Sequence, residues 1–174
     1  MKRFLKSLCV ALSLALAFGL CSCDDKYEYT MKSYTTGALS YEIPEHFELT
    51  SHSEADAYYL TLNSAVTVYS YTLPEFDLAF RDYVGDYSAR SVAEFLVDMH
   101  EYNCAVNDGT VEGSAVYSYM YSADNVTGYS TGVVLANADN IAVFLYSCNA
   151  DKLDLYQEMI LEILGSLELR GNGG

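Results

Sequence analysis

Apolar and polar residues alternate over several short stretches of the chain. Because successive side chains of a strand point to opposite faces of a sheet, this period of two predicts β-strands. Most of these stretches are also rich in Tyr, Val and Thr, which fit a pleated surface. The predicted strands cover residues 39–43, 47–50, 57–63, 65–72, 114–122, 128–136 and 140–147. Short, turn-prone links join the last three strands, which favours an antiparallel meander.

Two other stretches have the helical period, with apolar residues every three or four positions. The first contains a predicted capping box at Ser91 and Glu94, and the second begins at Asp151, which suits an N-cap. The apolar stripe of the first consists of Val92, Phe95, Leu96 and Met99. The stripe of the second consists of Leu153, Tyr156, Ile160, Ile163, Leu164 and Leu167.

The segment 140–147 is apolar on both of its faces. A strand buried on both sides lies centrally in its sheet and needs cover above and below. The expected fold class is therefore α+β, a central antiparallel β-sheet flanked by helices. At 174 residues, the chain has the length of one domain.

Residues 1–22 have the pattern of a secretory signal. Basic residues near the start are followed by an apolar run over residues 8–20, which is shorter than the ~20 residues that span a bilayer. The run ends in Leu20-Cys21-Ser22-Cys23, which resembles the bacterial lipobox with Leu20 at position −3 and Ser22 at −1. The resemblance implies a diacylglycerol thioether on Cys23, which would hold the mature protein on the outer face of the cell membrane.

The remaining chain divides into three parts. Residues 23–37 are polar after the lipidated cysteine and predict a tether, with a first edge strand as the alternative. Residues 38–169 carry the strand and helix patterns of a single domain. Residues 170–174 are rich in glycine and predict a disordered tail.

Two segments of this domain resemble PsbP-like domains. Residues 41–49 (YEIPEHFEL) are similar to the opening of such domains, a strand followed by proline, an acid and an aromatic residue. Residues 140–167 are similar to their last strand and C-terminal helix. The resemblance spans most of residues 38–169 and implies an α/β/α sandwich. PsbP-like domains serve photosystem assembly, nuclear transport and many bacterial lipoproteins without assigned roles. They share no catalytic residues, so the resemblance implies an architecture and no activity.

The charge balance excludes one class of partner. The chain has 24 Asp and Glu residues against 9 Lys and Arg, a formal net charge of −15. Such a surface repels phosphate backbones, so nucleic-acid binding is not expected. Attachment to anionic lipid through the protein surface is disfavoured for the same reason.

Candidate chemistry is sparse. In an extended strand His46 and His52 would lie about 20 Å apart, and His100 is off the apolar stripe of its helix, so no metal site is predicted. There is no nucleophile elbow. The glycines at 109, 113, 128 and 132 are scattered and form no phosphate-binding pattern. No cofactor is predicted.

Two cysteines remain once Cys9 and Cys21 leave with the signal and Cys23 takes the lipid. These are Cys104 and Cys148, an even pair in an oxidising compartment. The alternatives are a disulfide between them and two buried free thiols.

Three tyrosines share one face of a predicted strand, namely Tyr117, Tyr119 and Tyr121. Tyrosine can bury its ring and leave its hydroxyl in water, which suits protein or glycan contact. They are the candidate contact surface. The alternative is that a helix covers this face and the tyrosines belong to the core.

The function expected from these features is binding, as an accessory or assembly factor with a protein partner at the cell envelope. The membrane is a second partner, through the lipid on Cys23. The alternatives are an envelope hydrolase that uses carboxylates in a cleft and a solute- or cation-binding lipoprotein.

Overall fold

The computed structural model of the chain describes residues 28–123 and 126–171. The secretory signal and Cys23 lie outside the described residues, as do residues 172–174 of the predicted tail. The elements are β1 (Met31–Thr36), β2 (Leu39–Pro44), β3 (Glu48–Thr50), β4 (Ala57–Leu60), β5 (Ser64–Thr72), α1 (Leu73–Ala79), α2 (Ala89–Met99), β6 (Val106–Asp108), β7 (Ser114–Ala123), β8 (Val126–Ala136), β9 (Asn140–Asn149), a 3₁₀ turn (Ala150–Lys152), α3 (Leu153–Gly165) and β10 (Glu168–Leu169).

Seven strands form the main sheet, in the order β3-β4-β5-β9-β8-β7-β6. Neighbours pair antiparallel throughout, and β7, β8 and β9 form the predicted meander. The strand β9 lies at the centre, with its two neighbours paired along nearly its whole length. Its odd-numbered apolar residues pack on one face and its even-numbered ones on the other, as the doubly apolar pattern predicted. The α+β fold class is confirmed.

Each face of the main sheet has its own cover. One face, which we call the α2 face, packs against α1 and α2. The α2 residues Val92 and Leu96 are buried in one apolar cluster with Val134 and Val143 of the sheet. The opposite face, which we call the α3 face, packs against α3 and against a second sheet of three strands, ordered β1-β2-β10. This second sheet was not predicted, because β10 has only two residues and the pattern of β1 is mostly polar.

The prediction of a tether up to residue 37 is wrong over residues 31–36. These residues form β1, which pairs with all of β2. The ring of Tyr34 lies 6.0 Å from that of Tyr41 and 5.1 Å from that of Tyr59, so β1 contributes a side chain to the core. Gly37 makes the turn at φ +55, a conformation that favours glycine. The folded domain therefore begins by Met31.

The helix starts also differ from those predicted. Helix α2 begins at Ala89, and its cap is Ser88, whose side chain accepts the Ser91 N–H. The capping box lies instead at Thr72 and Glu75, at the start of α1, which the apolar pattern missed because the helix has seven residues. Helix α3 begins at Leu153, after the 3₁₀ turn. In the described part of the chain, no helix is both long and apolar enough to cross a membrane.

Candidate functional site

Two open grooves meet at the outer part of β7. We call the first the edge groove; it has a volume of about 720 Å³ and lies around the side of β7 that faces away from β8. We call the second the helix groove; it has a volume of about 690 Å³ and lies between α3 and the α3 face of β7 and β8. The two grooves share Ser118, Tyr129 and Leu153 in their linings. They therefore form one continuous surface.

The edge groove exists because β6 is much shorter than β7. The strand β6 pairs only with Ala115, Val116 and Tyr117, whereas β7 continues to Ala123. At the other end of β6, away from the outer half of β7, the Arg90 guanidinium of α2 donates to Asp108 at 2.7 Å. Among the described residues, none continues the sheet beside the outer half of β7.

The predicted tyrosine surface is wrong for Tyr117. Its side chain is only 3% exposed and lies in the core beneath α2, where burial raises the pKa of its hydroxyl. Tyr119 and Tyr121 are half-buried and line the edge groove. The alternative of a helix-covered core position therefore holds for Tyr117.

Glycines opposite the tyrosines explain why these rings lie flat against the sheet. Tyr117 pairs with Gly132, and Tyr121 pairs with Gly128 on β8. A Cβ at Gly132 would lie 2.3 Å from Cζ of Tyr117, and a Cβ at Gly128 would lie 2.2 Å from Cζ of Tyr121. Each ring thus occupies the space that a side chain on β8 would need. The spacing of Gly128 and Gly132 was the signal in the sequence that could have shown this.

The edge groove is also lined by Tyr102, a residue that the sequence analysis did not single out. The ring of Tyr102 stacks on that of Tyr119 with centroids 3.9 Å apart and on that of His100 with centroids 5.2 Å apart. Tyr102 is positioned by the end of α2, where its N–H bonds to the carbonyl oxygen of Val97. This end requires a left-handed residue, and Glu101 takes that conformation at φ +56.

The floor between the two grooves is polar and hydrogen-bonded. The Tyr129 hydroxyl donates to Ser118 Oγ at 3.2 Å, and Ser118 Oγ donates to Thr131 Oγ1 at 3.0 Å. On either side the lining includes exposed apolar side chains, Met120 in the edge groove and Leu161 in the helix groove. A surface of this kind offers apolar contact area around a few fixed polar groups, as protein and peptide sites do.

The charged residues of both grooves are acidic. Among the residues that the structure describes, the linings contain Glu101, Asp108 and Asp154 and no lysine, arginine or histidine. Asp108 is paired with Arg90, whereas Glu101 and Asp154 have no ion-pair partner in the described part of the chain. This local charge has the same sign as the net charge of the chain.

The structure contains no bond between Cys104 and Cys148, which are both free thiols. Cys104 packs on the α2 face and Cys148 on the α3 face, so the main sheet lies between them. The predicted alternative of a disulfide is therefore wrong. Burial raises the pKa of the Cys148 thiol to about 12 and also raises that of Cys104.

The histidines are placed separately. His46 lies beside Phe47, His52 Nδ1 accepts the Glu54 N–H at 3.2 Å, and His100 stacks on Tyr102. Burial lowers the pKa of His46 and His100. Within residues 28–123 and 126–171, no three or more His, Cys, Asp or Glu side chains are grouped in a way that could hold a metal ion.

The fold is shared with solved structures of low sequence identity. Cyanobacterial PsbP (CyanoP) from Synechocystis matches 87% of this chain and 99% of its own, with a TM-score of 0.51 and 14% identity. The Ran-binding protein Mog1p of Saccharomyces cerevisiae matches 82% of this chain and 96% of its own, with a TM-score of 0.54 and 12% identity. The protein LpqN, described as involved in cell envelope biogenesis of Mycobacterium tuberculosis, matches 83% of this chain and 93% of its own, with a TM-score of 0.54 and 9% identity.

These likenesses define the class of fold. The chain has a PsbP-like fold, as the resemblance of residues 41–49 and 140–167 implied. No protein-family profile matches the chain, and no curated protein matches it in sequence.

Proposed function

We propose that this protein is a lipid-anchored accessory factor on the outer face of the cell membrane, where it binds a protein partner through the edge groove and the helix groove. The observation that carries the proposal is the continuity of the two grooves around the outer half of β7. They combine exposed apolar side chains with a hydrogen-bonded polar floor, as protein-binding surfaces do.

The fold neighbours support this role without defining it. One of them is named for binding a protein, Ran, and another is described as involved in cell envelope biogenesis. The lipobox at Cys23 supports placement at the envelope. An anchored protein meets membrane-bound partners at a high effective concentration, so modest affinity is enough for its role.

The anchor is tested by Cys23→Ser in the source organism. We expect the variant to be unprocessed or released from the membrane, because no lipid can attach. Cys21→Ser is the matched control and should remain membrane-bound. Normal processing and membrane attachment of the Cys23→Ser protein would contradict the assigned lipobox position.

The binding surface is tested by photo-crosslinking in intact cells. A crosslinking amino acid at Met120, which is 56% exposed beside the grooves, should capture an envelope protein. The matched control is Leu49, which is 68% exposed on the opposite edge of the main sheet and should not capture it. Equal capture of the same protein at both positions, or capture at Leu49 only, would refute the proposed surface.

A further inference from the structure

Within residues 28–123 and 126–171, no strand lies beside the outer half of β7 on the side away from β8, so this side is a sheet edge. Backbone N–H and C=O groups of a strand point alternately to its two sides. The backbone carbonyl oxygen of Ser114 accepts the Gly109 N–H, on the side of β7 where β6 lies. Because the direction alternates from residue to residue, the other even-numbered residues of β7 also point their backbone groups away from β8. Beyond the last β6 pair, at Tyr117, the next such residues are Ser118, Met120 and Ser122. Ser118 and Met120 line the edge groove, and Ser122 follows them along the same strand.

The other edges of the two sheets are protected in ways that this one is not. The opposite edge strand, β3, has three residues and carries Glu48. In the small sheet, β10 has two residues and the edge strand β1 carries Lys32. Short edge strands and charged residues are the usual means of preventing unwanted strand pairing. The outer half of β7 is long, and residues 118–122 (SYMYS) carry no charge.

We propose that a partner binds this edge by strand addition, placing an extended segment beside residues 118–122 as an eighth strand of the main sheet. The inference rests on the proposed binding function and specifies how its partner is recognised. Backbone hydrogen bonds to Met120 and Ser122 supply affinity, and side-chain contacts on the two faces supply specificity.

The lining of the edge groove determines which segment fits. On the α3 face an added strand meets Met120, Tyr129 and Leu153, which favour an apolar side chain. On the α2 face it meets Glu101 and the ring of Tyr119, which favour lysine or arginine through charge and cation–π contact. Because side chains of a strand alternate between faces, the partner segment alternates apolar and basic residues.

Charge also selects between occupants. A second copy of this chain would bring another net charge of −15 and another Glu101 to the same edge, so self-pairing is opposed. A basic segment is attracted by the acidic chain over a distance, and its association slows as salt rises.

The test uses the full chain in detergent micelles and a seven-residue peptide of alternating valine and lysine. With the peptide bound, the amides of Met120 and Ser122 should exchange with deuterium at least about tenfold more slowly, because each gains a hydrogen bond. The amides of Glu48 to Thr50 on β3 serve as the internal control and should not change. A peptide with glutamate in place of lysine should not bind.

Three variants and one modified peptide test the proposal further. Met120→Pro removes an outward N–H and should weaken binding at least about tenfold, whereas Met120→Ala keeps it and should weaken binding less. Glu101→Gln should weaken binding about two- to fivefold. A peptide N-methylated at alternate residues, in the register that faces β7, should lose binding whether or not Met120→Pro folds.

Strand addition is refuted if the peptide binds without slowing exchange at Met120 and Ser122, or if the N-methylated peptide binds equally well. It is also refuted if these two amides are already protected in the free protein, since another segment or a second copy would then occupy the edge. Capture of a partner at Met120 without such protection would leave the accessory role intact and remove only the strand addition. Failure of capture at Met120 would instead refute the proposed function.

Discussion

Replacing Gly132 by alanine would place a methyl group where the ring of Tyr117 now lies. The added Cβ would be 2.3 Å from Cζ and 2.6 Å from the hydroxyl oxygen of that ring. The ring must move by about 1 Å to restore an ordinary carbon–carbon contact. It has little room to do so, because Tyr117 is 3% exposed and is enclosed by α2 and the stacked ring of Tyr102.

Overpacking of a closed core costs about 1–3 kcal/mol, and the lack of room places Gly132→Ala in the upper half of that range. For a domain of this size, the thermal midpoint should fall by about 5–10 °C. The assay is reversible thermal or urea unfolding followed by circular dichroism. Gly165→Ala is the control without a clash, since nothing lies within 4 Å of its added Cβ, and it should be neutral or stabilising by up to about 1 kcal/mol.

A double-mutant cycle isolates the contact between ring and methyl group. In a Tyr117→Leu background the ring is absent, so Gly132→Ala should lose most of its cost. An equal cost in both backgrounds would show that the ring does not lie over Gly132. A cost near zero in the wild-type background would show that Tyr117 is free to move outward, and would restore it as a surface residue.

Three further predictions concern packing, pH and backbone conformation. Ile160→Ala should lower the free energy of unfolding by about 2–5 kcal/mol, because the Ile160 side chain is buried. The control Leu161→Ala, at a position that is 61% exposed, should change it by no more than about 0.5 kcal/mol. Equal effects of the two variants in urea unfolding would contradict the placement of α3. Burial raises the pKa of Tyr71 to about 12, above the value of 10.0 in the unfolded chain. The contribution of the neutral Tyr71 hydroxyl to stability is therefore complete below pH 10 and is lost as the pH rises toward 12. An unfolding midpoint that is unchanged between pH 8 and pH 11 would refute this. Glu101→Gly should raise the free energy of unfolding by about 0.5–1 kcal/mol, because glycine takes the left-handed conformation of this position without strain. Glu101→Gln should not raise the free energy of unfolding. A destabilised Glu101→Gly protein would show that the carboxylate contributes to folding.

Periodicity in the sequence was enough to predict most of the fold. The doubly apolar pattern of residues 140–147 predicted a central strand, and β9 lies at the centre of the main sheet. The stripes of both helices predicted buried residues, among them Leu96 and Ile163. These predictions succeed because each long element must bury one or both of its faces, and the spacing of its own apolar residues shows which faces those are.

Short elements and segment boundaries were beyond the reach of the same reasoning. The strands β6 and β10 have three and two residues, too few to show a period. The sequence of β1 is mostly polar and therefore predicted a tether. The contacts that make it a strand, with β2 and with the core tyrosines, form only in the folded protein. Cys104 and Cys148 follow elements whose order along the chain does not reveal which face of the sheet they occupy.

The candidate site depended on the tertiary structure most of all. The sequence alone determined that Tyr117, Tyr119 and Tyr121 share one face of a strand, because that follows from the period of two. Which of them α2 covers, and which side of β7 stays open, depended on the length of β6 and on the register of β7 with Gly128 and Gly132. Register and strand length are set by contacts between segments far apart in the chain, so only the folded molecule determines them.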